Sequence, residues 1–332
     1  MVVGSPLEGG VMQSRKYRFF GILLVLTLLA ADSLFGQAMV RVITIEGYRK
    51  RFDSPAQDAI QRYRLVDITG NDYNGDGVPD TNPTRPLAVL ALFQGGTGRL
   101  NLSSSNARVG DPHTVDSLRY HLAAEGFVVA SVDAASDFLA HNHDQTATGN
   151  NDHGSGLAGH QLPGRLYADL YKQDLEALMN DLRRRFPGYP VFALGTSLGT
   201  ISAYVAAIEL ANPPDAIVLA APLTGIAFTG DLGRTNPHHD RVRVPTLVIT
   251  HEDDPCVSTK PADARVLATS LTRAPKVDFV LMNGGLRGWG NDSPAGVSGR
   301  GCSGLNAHNF FGAEHDLVKE VTAWIKDLLS RP

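Results

Sequence analysis

Beyond residue 38 the chain alternates short apolar runs with longer amphipathic stretches. The runs are MVRVITIEG, YRLVDIT, LAVLALF, FVVASVD, PVFALG, AIVLAAP, PTLVIT and VDFVLM. Each has the length of a strand, and several are apolar at nearly every position, as strands covered on both faces are. Between them the spacing changes to that of helices. Leu166, Leu170, Leu175, Leu178, Leu182 and Phe186 mostly fall three to five apart and predict a helix over 166–186 with one apolar stripe. Further helices are predicted over 114–125, 198–211, 261–273 and 314–329. The alternation predicts a single α/β domain over 39–332, a mostly parallel sheet of about eight strands with helices on both faces.

The first 38 residues have a different pattern. Arg15, Lys16 and Arg18 precede the apolar run from Phe19 to Ala31. That run is about 13 residues, the length of a signal-peptide core and short of the roughly 20 a spanning helix needs. Gly36 to Ala38 supply small residues for cleavage before Met39, and a start at Met12 would leave residues 1–11 untranslated. Residues 1–38 therefore read as a signal peptide, with an uncleaved anchor as the alternative, and the protein as periplasmic or extracellular. In such a compartment Cys256 and Cys302, the chain's two cysteines, are expected to be bonded rather than to be unrelated buried thiols.

Composition narrows the partners. Apolar content of 43% and charged content of 19% suit a globular domain, and a net charge of −4 gives no reason to expect nucleic acid or an anionic membrane surface. Three polar segments exceed simple connections: 134–164 with His141, His143, His153 and His160, 222–243 with NPHHD, and the Gly/Ser-rich 283–305. Long loops in compact domains gather function. The histidine-rich one reads as a solvated border of an active site or as a metal loop.

One G-x-S-x-G occurs, at Gly195-Thr196-Ser197-Leu198-Gly199. A chain rich in Gly and Ser can hold that pattern by chance, but here it follows a predicted strand and opens a predicted helix. A nucleophilic serine on a sharp strand–helix turn needs that setting. The flanking glycines would keep side chains from clashing in so tight a turn, and the helix N-terminus would favour developing negative charge.

On these residues the chain resembles the α/β-hydrolase family from about residue 40 onward. The resemblance implies a triad in the order Ser, acid, His, each at the end of a strand. Ser197 is the implied nucleophile. After PTLVIT, Asp254 has the spacing of the acid, three residues before the apolar Val257; Asp253 is one residue early and Glu252 reads as solvated. After VDFVLM the histidine is His308, followed by Phe310 and Phe311 as anchors, with His315 in the final helix as the alternative. The implied oxyanion donors are the backbone N–H of Leu198 and one from the loop QGGTGRL. There Gly95 and Gly96 match the family's glycine-rich loop, Gln94 stands where His is common, and Gly96 is the residue named. FQGGTGRL, GTSLGT, THEDDPC and AHNFFGAE together resemble a subgroup of exported bacterial serine hydrolases, with departures: TH stands in place of HH ahead of the acids, and His308 stands alone. Cys302 lies six residues before His308, so a Cys256–Cys302 bond would tie the acid loop to the base loop.

A separate signal is NDYNGDGVPDT. Asp72, Asn74, Asp76 and Asp80 alternate around Gly77 as calcium ligands do, but Pro83 occupies the twelfth position and no bidentate Glu closes the loop. It reads as a short structural calcium loop or as an Asx-rich turn between strands. The function expected is hydrolysis of a small-molecule carboxylic ester through an acyl-enzyme, with no cofactor required. An amidase or peptidase of the same fold and a non-catalytic exported binding protein are the rival readings.

Overall fold

Each of the eight apolar runs forms a strand in the structure, a computed structural model that describes residues 39–51, 54–68, 85–95, 100, 102, 118–137, 165–225, 238–285, 302 and 306–331. The strands are β1 (Met39–Ile45), β2 (Gln61–Asp67), β3 (Ala88–Phe93), β4 (Phe127–Val132), β5 (Val191–Thr196), β6 (Ala216–Ala220), β7 (Thr246–His251) and β8 (Val277–Met282). They build one sheet in the order β1-β2-β4-β3-β5-β6-β7-β8. β2 runs antiparallel to β1 and β4, and every later pairing is parallel.

The helices are α1 (Leu118–Ala124), α2 (Arg165–Arg185), α3 (Gly199–Glu209), α4 (Pro261–Ser270) and α5 (Glu314–Ser330). They match the predicted spans to within a few residues, and positions 114–117 of the first lie outside the described residues. Among the described residues no helix is long and apolar enough to cross a membrane.

Burial explains why the strands read so clearly. Every residue of β3, β4, β5, β6 and β7 is buried, so both faces select for apolar side chains. The edge strand β1 behaves differently: Ile43 is buried while Val40 and Val42 are each 43% exposed. Leu175, Leu178 and Leu182 of α2 and Phe186 just beyond its end fill the core, as the stripe requires.

The parallel register sets up the site. Phe93 of β3 pairs with Gly195 of β5, Gly195 with Leu219 of β6, and Ile249 of β7 with Val280 of β8. The segments that follow β3, β5, β7 and β8 therefore emerge along the same edge of the sheet.

A buried ion cluster ties the antiparallel corner to this frame. Arg49 donates from Nη1 and Nη2 to Asp137 at 2.5 and 3.0 Å, and from Nε and Nη2 to Asp174 at 2.8 and 3.0 Å. Tyr48 adds an O–H donor to Asp174 at 2.6 Å. Side-chain exposure is 2% for Arg49, 0% for Asp137 and 3% for Asp174. Asp137 precedes the long segment 138–164 and Asp174 follows it on α2, so one guanidinium holds both of its flanks. Burial pushes the Asp174 carboxyl up to about 6, with the Arg49 guanidinium pulling against it.

Replacing Arg49 with Leu leaves two buried carboxylates without that cation, and a loss of about 3–5 kcal/mol in denaturant unfolding is expected at neutral pH. The folded-state value of Asp174 lies above its unfolded one, so the folded form holds the proton more tightly between the two. Without Arg49, which lowers it, that value rises further, so the variant takes up the proton before wild type does and the loss should ease as pH falls from neutral toward about 6. An Arg49→Leu protein as stable as wild type at neutral pH would contradict this role.

Candidate active site

The turn between β5 and α3 is built by close contact. A Cβ on Gly195 would lie 2.1 Å from the Gly199 carbonyl oxygen, and a Cβ on Gly199 would lie 2.1 Å from that of Phe93. No side chain fits at either position, so the chain reverses sharply and Ser197 takes φ = 51°, a strained value for a residue with a Cβ. The turn is pinned on three sides. Ser197 N–H donates to Ala220 O at 3.0 Å, Thr200 N–H donates to Ser197 O at 3.1 Å, and the Thr200 hydroxyl donates to that same oxygen at 2.5 Å. Ser197 Oγ stands half-exposed at the N-terminus of α3.

The acid lies in the turn after β7. Glu252 and Asp253 are exposed, whereas the Asp254 side chain is fully buried. Its Oδ1 accepts the Cys256 N–H at 2.8 Å and its Oδ2 accepts the Thr259 hydroxyl at 2.7 Å. Of the three consecutive carboxylates, Asp254 is the one that reaches the histidine.

His308 sits in a 3-10 turn, Ala307–Asn309, ahead of α5. The buried Asn306 side chain accepts the His308 N–H at 3.0 Å, and Phe310 at φ = 55° reverses the chain with its ring in the core. His308 Nε2 lies 3.0 Å from Ser197 Oγ, and Nδ1 lies 3.2 and 3.1 Å from the two Asp254 oxygens. The His308 ring is 1% exposed. A carboxylate only accepts hydrogen bonds, so Nδ1 carries the proton and Nε2 presents its lone pair to the serine hydroxyl. His315 is exposed on the first turn of α5 and takes no part.

Cys256 and Cys302 form a disulfide across 46 residues, with Cα atoms 4.4 Å apart. The bond links the turn that holds Asp254 to the segment leading into His308. The ligand atoms of Asp254, Cys256 and His308 gather within 4.8 Å of one another. With the Cys256 sulfur held in the disulfide, that group lacks the thiolate a metal would use.

The histidine of TH has a structural place. His251 Nδ1 accepts the Asp253 N–H at 3.1 Å, so its Nε2 carries the proton and donates to Gly284 O at 3.0 Å. It ties the acid turn to the end of β8.

For the oxyanion, the Leu198 N–H donates to no acceptor among the described residues, which leaves it open to a developing charge. Gly96 lies outside the described residues. Its neighbour Gly95 packs against the nucleophile, since a Cβ there would come within 2.9 Å of Ser197 Cβ. The same loop is anchored by Asp133, whose carboxylate accepts the Leu100 and Leu102 N–H groups at 2.7 and 2.8 Å. Asp133 and Thr259 were not singled out by sequence, because neither belongs to a motif or a periodic pattern. Asp72, Asn74, Asp76 and Asp80, and the histidines of 141–160, also lie outside the described residues.

The sheet order, the turn at Ser197 and the Ser–His–Asp contacts define the α/β-hydrolase fold with a serine-hydrolase site. A family model described as serine aminopeptidase, S33 matches residues 116–233, the stretch containing Ser197. Among solved structures, the α/β hydrolase MGS-M1 from a Medee basin deep-sea metagenome library has a TM-score of 0.50 at 13% identity, covering 89% of this chain and 100% of that one. XC6422 from Xanthomonas campestris, an α/β serine hydrolase without lid, gives 0.45 at 16% identity over 88% of this chain and 96% of its own. A candidate dipeptidyl aminopeptidase IV from Bacteroides ovatus gives 0.49 at 11% identity over 88% of this chain; the present chain spans about a third, 36%, of that protein. No curated protein matches the sequence significantly. The chain has the α/β-hydrolase fold and is similar over residues 116–233 to the serine aminopeptidase family.

Reducing the disulfide should loosen the Asp254–His308 geometry and lower kcat, since small displacements of reacting groups are costly. Opening a 46-residue loop should also cost up to ~4 kcal/mol in the chain-entropy account. The Cys256→Ser, Cys302→Ser double variant measures both effects. Unchanged kcat together with unchanged unfolding would refute the coupling.

Proposed function

We propose that the protein is an exported carboxylic-ester hydrolase working through an acyl-enzyme on Ser197. The observation that carries this reading is the unbroken hydrogen-bond line from Ser197 Oγ through His308 to Asp254. Ser197 Oγ attacks the substrate carbonyl carbon while His308 Nε2 takes its proton, and Asp254 stabilises the imidazolium. The tetrahedral oxyanion develops toward the Leu198 N–H. His308 returns its proton to the departing alcohol, then activates a water that releases the acid and regenerates Ser197.

An alcohol leaves with less acid assistance than an amine, so an ester makes the smaller demand on this triad. Amide or peptide cleavage is the second reading, favoured by the aminopeptidase description of the matching family model. Export is supported by the basic and apolar pattern of residues 15–31 and by the disulfide, which persists in oxidising compartments.

A fluorophosphonate probe applied to separated cell fractions tests the reading. Labelling is expected in the exported fraction for wild type and to vanish in Ser197→Ala. Equal labelling of both proteins would overturn the nucleophile, and a labelled band confined to the cytosol would overturn export. On purified enzyme, p-nitrophenyl esters of graded chain length should turn over at least tenfold faster than matched p-nitroanilides, about 1.4 kcal/mol in barrier. The reverse order would favour the peptidase reading.

A further inference from the structure

Thr259 occupies a position in the site that neither the motifs nor the family match assigns. It lies between the acid turn and α4 and is fully buried. Its hydroxyl oxygen is 2.7 Å from Asp254 Oδ2 and 3.0 Å from His308 Nδ1. Nδ1 is thus surrounded by three oxygens, two from Asp254 at 3.2 and 3.1 Å and one from Thr259.

One proton assignment satisfies all of these contacts. The hydroxyl has a single proton, and the carboxylate beside it can only accept. The shorter contact therefore takes that proton, and a hydroxyl lone pair is left facing Nδ1–H. Cys256 N–H holds the other carboxylate oxygen at 2.8 Å. Each Asp254 oxygen then has one donor besides His308, which fixes the plane of the carboxylate. In the opposite tautomer a bare Nδ1 would face the lone pairs of the carboxylate, and the hydroxyl would have to abandon Asp254 to relieve it.

We infer that Thr259 is a positioning residue of the Ser197–His308–Asp254 site: its hydroxyl fixes the Asp254 carboxylate and accepts from His308 Nδ1–H, holding the ring in the tautomer that offers Nε2 to Ser197. This rests on the proposed serine-hydrolase reading. Threonine suits the place because its branched Cβ restricts χ1, so the hydroxyl is aimed before substrate arrives. The backbone around it is equally fixed. Thr259 N–H donates to Cys256 O at 3.3 Å, and Ser258 O accepts the Thr224 and Gly225 N–H groups at 2.8 and 3.0 Å.

The test compares Thr259→Val, which keeps the shape and removes the hydroxyl, with Thr259→Ser, which keeps the hydroxyl. Thr259→Val should lose roughly 10- to 100-fold in kcat with KM near wild type, the scale expected when a catalytic group is slightly misplaced. Thr259→Ser should recover most of it. In proton NMR the downfield His308 Nδ1–H resonance should shift or broaden in Thr259→Val and persist in Thr259→Ser. Melting temperature is followed alongside, and Thr259→Ala serves as a second hydroxyl-less variant if Thr259→Val does not fold. Wild-type kcat in either hydroxyl-less variant overturns the inference. So does a loss of activity that Thr259→Ser fails to restore and that follows the fall in melting temperature. If wild type reacts with a fluorophosphonate at Ser197, either result removes the role of Thr259 alone. A wild type that does not react there removes the serine-hydrolase reading, and this inference falls with it.

Discussion

The contact on which the site depends is the approach of α3 to the end of β3. Because Gly199 would place a Cβ 2.1 Å from the Phe93 carbonyl oxygen, backbone meets backbone there with no room for a side chain. That proximity forces the reversal after Thr196, and the reversal puts Ser197 at positive φ with its hydroxyl raised above the sheet edge. The strain at one residue is held by bonds from β6 and from Thr200. Its functional return is a hydroxyl presented beside a helix N-terminus, where the backbone donors already point outward.

Three further segments converge on that hydroxyl, and each is fixed before chemistry begins. The acid turn is stitched by His251 to the end of β8 and by Cys256 N–H to its own carboxylate. The histidine turn is capped by Asn306 and reversed at Phe310. A disulfide joins the two. Leu100 and Leu102, beyond β3, are held by Asp133 just past the end of β4. Preorganisation of this kind is what lets electrostatic stabilisation act without rearrangement at the moment of reaction. Arg49 performs a comparable service for the flanks of segment 138–164.

Much of the fold was legible in the sequence, for a physical reason. Strands buried on both faces must be apolar throughout, so β3 to β7 announced themselves, and the stripe on α2 had only one period that fitted it. The elbow was legible because its glycines are steric requirements with a fixed spacing. Asp254 and His308 were reached through chain order and the resemblance, since nothing in THEDDPC by itself separates three adjacent carboxylates. Their separation is made by burial, which depends on where the turn folds. Thr259 was invisible for a related reason. A threonine just ahead of a helix ordinarily reads as a cap, yet here the hydroxyl turns back to Asp254, and only the tertiary arrangement shows it. Asp133 reads as the polar end of a strand until the loop it holds is seen. The long polar loops have no periodicity to read, so what they contribute was not legible at all.

The central claim is that Ser197, His308 and Asp254 act as one unit. The most direct measurement is kcat/KM for p-nitrophenyl acetate in Ser197→Ala, His308→Ala and Asp254→Ala and in the triple variant. Residues acting as a unit give losses that do not add. The account predicts that the triple variant is no slower than Ser197→Ala alone, with His308→Ala nearly as slow. Losses that multiply across the three substitutions would contradict it.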